Sequence, residues 1–238
     1  MNNLTSTNRQ VLDSNPFTKP EIAALWIKCV ENVSGEFRDQ HIYPRLRAWE
    51  GELMDGRILE VGSGQGVCCQ CLPAGRRYLG VEPSEPLQLR AVEQYQSGDR
   101  NFILGNAYSL PVSDGSCAGA FSVNVWMHLS DLGKAARELN RVLVPGGGFL
   151  IITANPDGYD EWEAMHFDTK RSGEKITGGF HLPDGIDLPE HVLFTHQLED
   201  FRKSFSGAGL DVRDIQTFGR TGDNGGADWF VAIQGLKG

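Results

Sequence analysis

Arg57-Ile58-Leu59-Glu60-Val61-Gly62-Ser63-Gly64-Gln65-Gly66 is an apolar run that passes directly into a loop with glycine at alternate positions. A second apolar run, Tyr78-Leu79-Gly80-Val81, ends in Glu82, which follows Gly62 by 20 residues. A glycine turn after a buried strand lets a ligand approach the main chain, because no Cβ stands in the way. A carboxylate one strand over can accept hydrogen bonds from ribose hydroxyls. The pair therefore reads as a nucleoside-binding site. The dinucleotide fingerprint requires glycine, any residue, glycine, two residues, glycine, and in this register its third glycine falls on Val67.

The rest of the chain narrows the classes. A length of 238 residues suits one α/β domain with a continuous core. The formal charge of −9 repels polyanions, and no Lys/Arg cluster forms a stripe, so nucleic acid and anionic membranes are excluded as expected partners. The polar start, Met1 to Gln10, lacks the apolar stretch of a signal peptide, and no run reaches bilayer-spanning length; the expected location is the cytoplasm. Five cysteines is an odd number for a disulfide framework. Cys68, Cys69 and Cys71 crowd the start of a helix without a CxxC pair, and they read as small buried apolar residues with no metal chemistry.

Thr18, with Pro20 and Glu21 behind it, forms a capping-box pattern, and Ile22, Leu25, Trp26, Cys29, Val30 and Val33 recur at helical spacing. A second helix is expected over 36–51, broken in continuity by Pro44. From residue 57 short apolar runs alternate with helical ones, the pattern of a parallel sheet covered on both faces. Strands are expected at 57–62, 78–82, 101–105, 119–126, 148–154, 210–218 and 228–235, the last two joined by the glycine-rich connection Gly219 to Gly226. Helices fall after Ser84, over Leu132 to Leu143, and over Leu198 to Ala208. Residues 155–196 break this rhythm, yet hold Trp162, Phe167, Phe180 and Phe194. A loop of that length with such aromatic content reads as an ordered lid. The expected organisation is an N-terminal helical cap over 1–50, joined in one domain to residues 51–238, with the lid as an insertion.

The alternating glycines with Glu60 ahead of them resemble motif I of the class I S-adenosylmethionine-dependent methyltransferases. Further resemblances are Glu82-Pro83-Ser84-Glu85-Pro86-Leu87, Asn106-Ala107 ahead of Leu110-Pro111, and the helix that runs into Pro145-Gly146-Gly147. The match covers about 57–155 and, weakly, 196–235, and is to the branch that acts on small molecules. It implies an α/β fold, a Rossmann-like doubly wound sheet of seven mostly parallel strands with an antiparallel last strand placed between the fifth and sixth. It also implies S-adenosylmethionine as cofactor. Gly62, Ser63, Gly64 and Gly66 would approach its methionine part, Glu60 would steer the ammonium, and Glu82 would take the ribose diol. Pro83 and Leu87 would flank adenine. Asn106 and Ala107 stand where the family usually has Asp-Ala, so a neutral amide replaces the carboxylate that accepts the adenine amino group. Asn124, Val125 and Trp126 would border the sulfonium, since carboxyl ends of strands face the crevice.

The sulfonium is already activated, and the protein mainly has to hold the acceptor in line with the C–S bond. A base is needed only for an acceptor that must lose a proton. His128, after the fourth strand, is the first candidate and Tyr159 the second. His166, Asp168, His181, His191 and His196 lack the i, i+4 spacing of a helical metal site, so no metal is expected. Tyr43 and Trp26 are placed to close over the cofactor or to pack beneath it. The reading is a methyltransferase for a small molecule, its acceptor pocket formed by 17–50 and 155–196. The alternatives are a non-catalytic S-adenosylmethionine-binding protein and a nicotinamide-dependent oxidoreductase, the latter disfavoured by Val67.

Overall fold

The computed structural model describes residues 15–32, 34–182, 185–219 and 226–238. Most of the connection expected from Gly219 to Gly226 lies outside them, as do residues 1–14 of the expected cap and Val33 of its first helix. The chain enters through a short turn, Pro16–Thr18, capped by the Asn15 side chain, which accepts from the Phe17 N–H at 3.0 Å. Helix α1 (Pro20–Asn32) follows. The Thr18 hydroxyl donates to the Asn15 carbonyl instead of capping the helix, so the expected capping box is not formed.

The second expected helix is split. A short turn, Ser34–Phe37, widens into a π-turn over Arg38–Ile42 before α2 (Tyr43–Gly51). Pro44 supplies the reason: it has no N–H to donate, and its ring collides with the carbonyl four residues back in a regular helix. The wider turn lets the Tyr43 N–H reach the Arg38 carbonyl, and proline falls harmlessly in the first turn of α2.

The strands are β1 (Ile58–Val61) and β2 (Tyr78–Glu82), both fully buried, then β3 (Arg100–Leu104) and β4 (Cys117–Val123). Helix α3 (Glu85–Tyr95) links β2 to β3, and α4 (Leu132–Val142) links β4 to β5 (Leu143–Ala154). Ser84 and Asp131 cap these helices by accepting the Leu87 and Lys134 N–H groups, each cap worth about 1 kcal/mol. Helix α5 (Tyr159–Ala164) leads into β6 (His166–Ser172), β7 (Lys175–His181) and β8 (Asp187–Phe194). Helix α6 (Leu198–Gly207), β9 (Leu210–Phe218) and β10 (Phe230–Lys237) complete the chain.

Seven strands form one sheet in the order β3-β2-β1-β4-β5-β10-β9. The pairings among β1 to β5 are parallel, while β10 runs antiparallel to both β5 and β9, so the expected insertion of the last strand is present. Within the segment expected as an ordered lid, β6, β7 and β8 make a separate antiparallel three-stranded sheet. Its register shifts in both ladders break the alternation of buried and exposed residues, which hid these strands from a periodicity reading.

Two apolar clusters cover the large sheet. One face holds α4 and α6, with Leu139, Phe149, Phe201 and Phe205 buried together; the other holds the N-terminal helices and the small sheet, with Leu46, Trp49, Phe121, Trp162 and Phe180.

Candidate active site

Strands β1, β2 and β4 end at the mouth of a cavity of about 920 Å³. Its first wall is the glycine loop. The Gly62 and Ser63 N–H groups both donate to the Val81 carbonyl, at 2.7 and 3.1 Å, which folds the loop over the end of β2. Gly62 has φ +75°, and a Cβ there would lie 2.3 Å from Val125 Cγ2. Gly64 has φ +53°, but a Cβ built on it meets nothing within 4 Å, so its missing side chain opens space on the cavity side.

Glu82 braces this loop. Its Oε2 accepts the Gly64 N–H at 2.8 Å and its Oε1 the Ser84 N–H at 2.9 Å. Burial pushes its carboxyl up to about 7, against the pull of these two backbone donors. Each oxygen keeps a second lone pair for a ligand. Glu60, only 2 % exposed, accepts from the Tyr78 hydroxyl, and burial raises its carboxyl to about 8. The group expected to steer an ammonium is therefore held mainly neutral at pH 7.

Opposite the loop, Asn106 Oδ1 accepts the Tyr108 N–H at 2.9 Å, an Asx turn that fixes Asn106-Ala107 against the cavity. Asn124 leaves β4 with φ +59°, a conformation that asparagine tolerates better than most residues. His128 follows in the turn Trp126–His128 and donates from Nδ1 to the Val192 carbonyl at 2.5 Å, which ties the end of β4 to β8. Its imidazolium is disfavoured by burial.

The structure gathers Glu60, Gly62, Ser63, Gly64, Glu82, Pro83, Leu87, Asn106, Ala107, Asn124, Val125 and His128 on this one cavity. Three expected site residues are elsewhere. Trp126 is turned to the opposite face of the sheet, 1 % exposed, with its ring 5.0 Å from that of Phe205. The strand ends at Val123, so alternation no longer governs which way residue 126 points. Gly66 is a packing glycine: a Cβ would lie 2.8 Å from Phe102 Cε1. Tyr159 is buried in the apolar cluster beside the His196 backbone and does not line the cavity. Trp26 does line it, whereas Tyr43 donates to the Val67 carbonyl behind it.

The far half of the cavity was only partly expected. Phe17, Ile42, Met127, Trp162, Met165, Phe180, Leu182, Phe194 and Phe230 supply its apolar wall. Phe230 comes from β10, on a strand whose sequence signals only burial. His191 also lines it, and nothing in the sequence sets this histidine apart from the others of its segment.

A family model described as a methyltransferase domain matches residues 59–151. An O-methyltransferase of Aspergillus nomiae is 31 % identical over 169 residues, covering 66 % of this chain and 68 % of that protein. The chain belongs to the class I S-adenosylmethionine-dependent methyltransferase family. A chloroplastic tocopherol O-methyltransferase of Arabidopsis thaliana is 27 % identical over 61 % of this chain and 44 % of its own length. A solved structure from Pyrococcus horikoshii superposes with a TM-score of 0.70 at 14 % identity, over 87 % of this chain and 92 % of that one, a likeness of fold. The chain spans about half the length of several further curated relatives, 44 % of a Mycobacterium methyltransferase among them.

The residues present fit the methyl donor that membership in this family implies. Ser63 Oγ, Gln65 Oε1 and Asn124 Oδ1 are buried on the lining without a hydrogen-bond partner among the described residues. Unsatisfied buried polar atoms are costly and call for a polar ligand or water. All three belong to residues that line the same cavity as Gly64. Among the described residues no group of His, Cys, Asp and Glu could hold a metal, and no helix is long and apolar enough to cross a membrane.

Proposed function

We propose that this chain transfers the methyl group of S-adenosylmethionine to a small, largely apolar acceptor. The carrying observation is the continuity of one cavity, polar at the glycine loop and walled by aromatic and methionine side chains beyond it. The donor, when bound, supplies an activated methyl group; the protein's own residues act by binding, orienting and excluding water.

Glu82 and the Gly64 backbone would hold the ribose, and Ser63, Gln65 and Asn124 would satisfy the amino-acid tail. Pro83 and Leu87 would flank adenine, with Asn106 and Ala107 at its edge. Asn124 and Val125 would stand next to the reacting centre, and His128 would face the acceptor. Residues 17–50 and 155–196 then act as cap and lid, and their apolar side chains select the acceptor. Similarity to a tocopherol O-methyltransferase supports a small-molecule acceptor, as does the acidic charge, which opposes polyanions.

Calorimetric titration of the full chain with S-adenosylmethionine and with NAD tests the first half. Binding of the former alone is expected, and no binding of it would overturn the proposal. The second half is tested by incubation with methyl-labelled donor and a metabolite extract, with label expected in the organic phase. Label confined to protein or nucleic acid would refute a small acceptor.

A further inference from the structure

Three histidines from three elements meet at the apolar half of the cavity. His166 of β6 bonds through Nδ1 to the Trp162 carbonyl at 2.9 Å and through Nε2 to His191 Nδ1 of β8 at 2.8 Å. The His191 ring stacks on Phe180, centroids 4.4 Å apart, and meets the His128 ring edge-on at 5.0 Å. His191 and His128 line the cavity, and His166 is buried behind them.

The hydrogen bonds determine where the protons sit. A carbonyl only accepts, so His166 carries its proton on Nδ1. Its Nε2 is then a lone pair and accepts from His191, whose proton is therefore on Nδ1 as well. This leaves His191 Nε2 unprotonated in a residue that lines the cavity. Both rings are neutral because burial, above all, opposes their charging. For His191 the neighbouring His128 and His166 add to the effect, while Glu163 of α5 partly offsets it at His166. From β7, Phe180 presents only its ring to His191.

Building on the function proposed above, we infer that His191 is the base of this site, that His166 is its positioning residue, and that the acceptor is an apolar phenol. In the transfer, the phenolic O–H bond breaks and its proton binds His191 Nε2. The His191 Nδ1 proton can pass to His166 Nε2, leaving the charge next to the Trp162 carbonyl. The oxygen keeps the electron pair and bonds the methyl carbon, whose bond to sulfur breaks with that pair returning to sulfur. A phenol, with a pKa of about 10, is far closer to a neutral imidazole than an aliphatic alcohol is, and it stacks well in an aromatic pocket.

Long-range nitrogen NMR of the histidines in the full chain is the first test. His128, His166 and His191 are expected to be neutral at pH 7, each with its proton on Nδ1. The second test uses para-octylphenol as probe. The wild type is expected to methylate it in preference to octanol, with an acid limb below the ordinary histidine range. His191→Asn, which keeps a donor toward His166 but has no second ring nitrogen, is expected to lower kcat by ~100-fold or more without changing the Kd for S-adenosylmethionine. His166→Gln is expected to move the acid limb of the pH profile while retaining part of kcat. The inference is overturned by a His191 proton on Nε2, by a wild-type rate in His191→Asn, or by a protein that binds the donor yet leaves the phenol unmethylated. If the variants do not fold, the NMR result on the wild type decides. Failure to bind the donor at all would instead refute the proposed function.

Discussion

Glu82 concentrates the residue-scale argument. Its spacing from the glycine loop marked it in the sequence, but the loop's own backbone already occupies one lone pair on each oxygen. Glu82→Ala is expected to weaken S-adenosylmethionine binding by roughly 1–3 kcal/mol, the order for a bond to a charged group, as read by calorimetry. The same variant also releases the loop, so Gly64 should show faster amide exchange. Because burial raises this carboxyl to about 7, and a cationic sulfonium ligand favours its ionised form, donor affinity should fall as pH drops from 8 to 5. A Kd independent of pH over that range would remove Glu82 from the site. The residue identities at 60, 62, 64, 82 and 106 were legible because each belongs to a short local pattern. His191 and Phe230 were not, since their role depends on which distant strand lies opposite.

At the scale of elements, the turn after β4 separates packing from binding. Trp126 belongs to the α4–α6 face, so Trp126→Ala is expected to cost about 3–5 kcal/mol of stability with donor affinity largely intact in the folded fraction. Thermal melts and calorimetry on one sample check both halves. Two glycines of one loop should likewise respond differently. Both glycines hold a left-handed φ that strains alanine, but Gly62→Ala also drives a methyl into Val125 and should destabilise the fold more, whereas the methyl of Gly64→Ala meets open space on the cavity and should lower donor affinity at a smaller cost in melting temperature. Most strands and helices were legible from period and caps. The π-turn at Pro44 was legible only as a break, because proline excludes a regular helix without specifying what replaces it. The β6–β8 sheet was invisible, its alternation interrupted by two bulges.

For the molecule as a whole, two buried carboxyls tie stability to pH. Glu60 and Glu82 titrate near 8 and 7 when folded and near 4.5 in the unfolded chain, so the folded state holds more protons between these values. Their stabilising contribution is full below pH 4.5 and is lost as pH rises through 7 and 8. Glu60→Gln is expected to flatten this loss, seen as a smaller difference between urea midpoints at pH 5 and pH 8; an unchanged difference would show that Glu60 is not the group responsible. The sequence alone determined the doubly wound sheet and the polar half of the cavity, because these rest on periodicity and on contacts between a strand and the loop that follows it, while the inserted antiparallel strand followed from the family resemblance. Tertiary structure alone decided the direction of Trp126, the small sheet and the histidine cluster. Those depend on contacts between segments far apart in the chain, and no local spacing encodes which side chains will meet there.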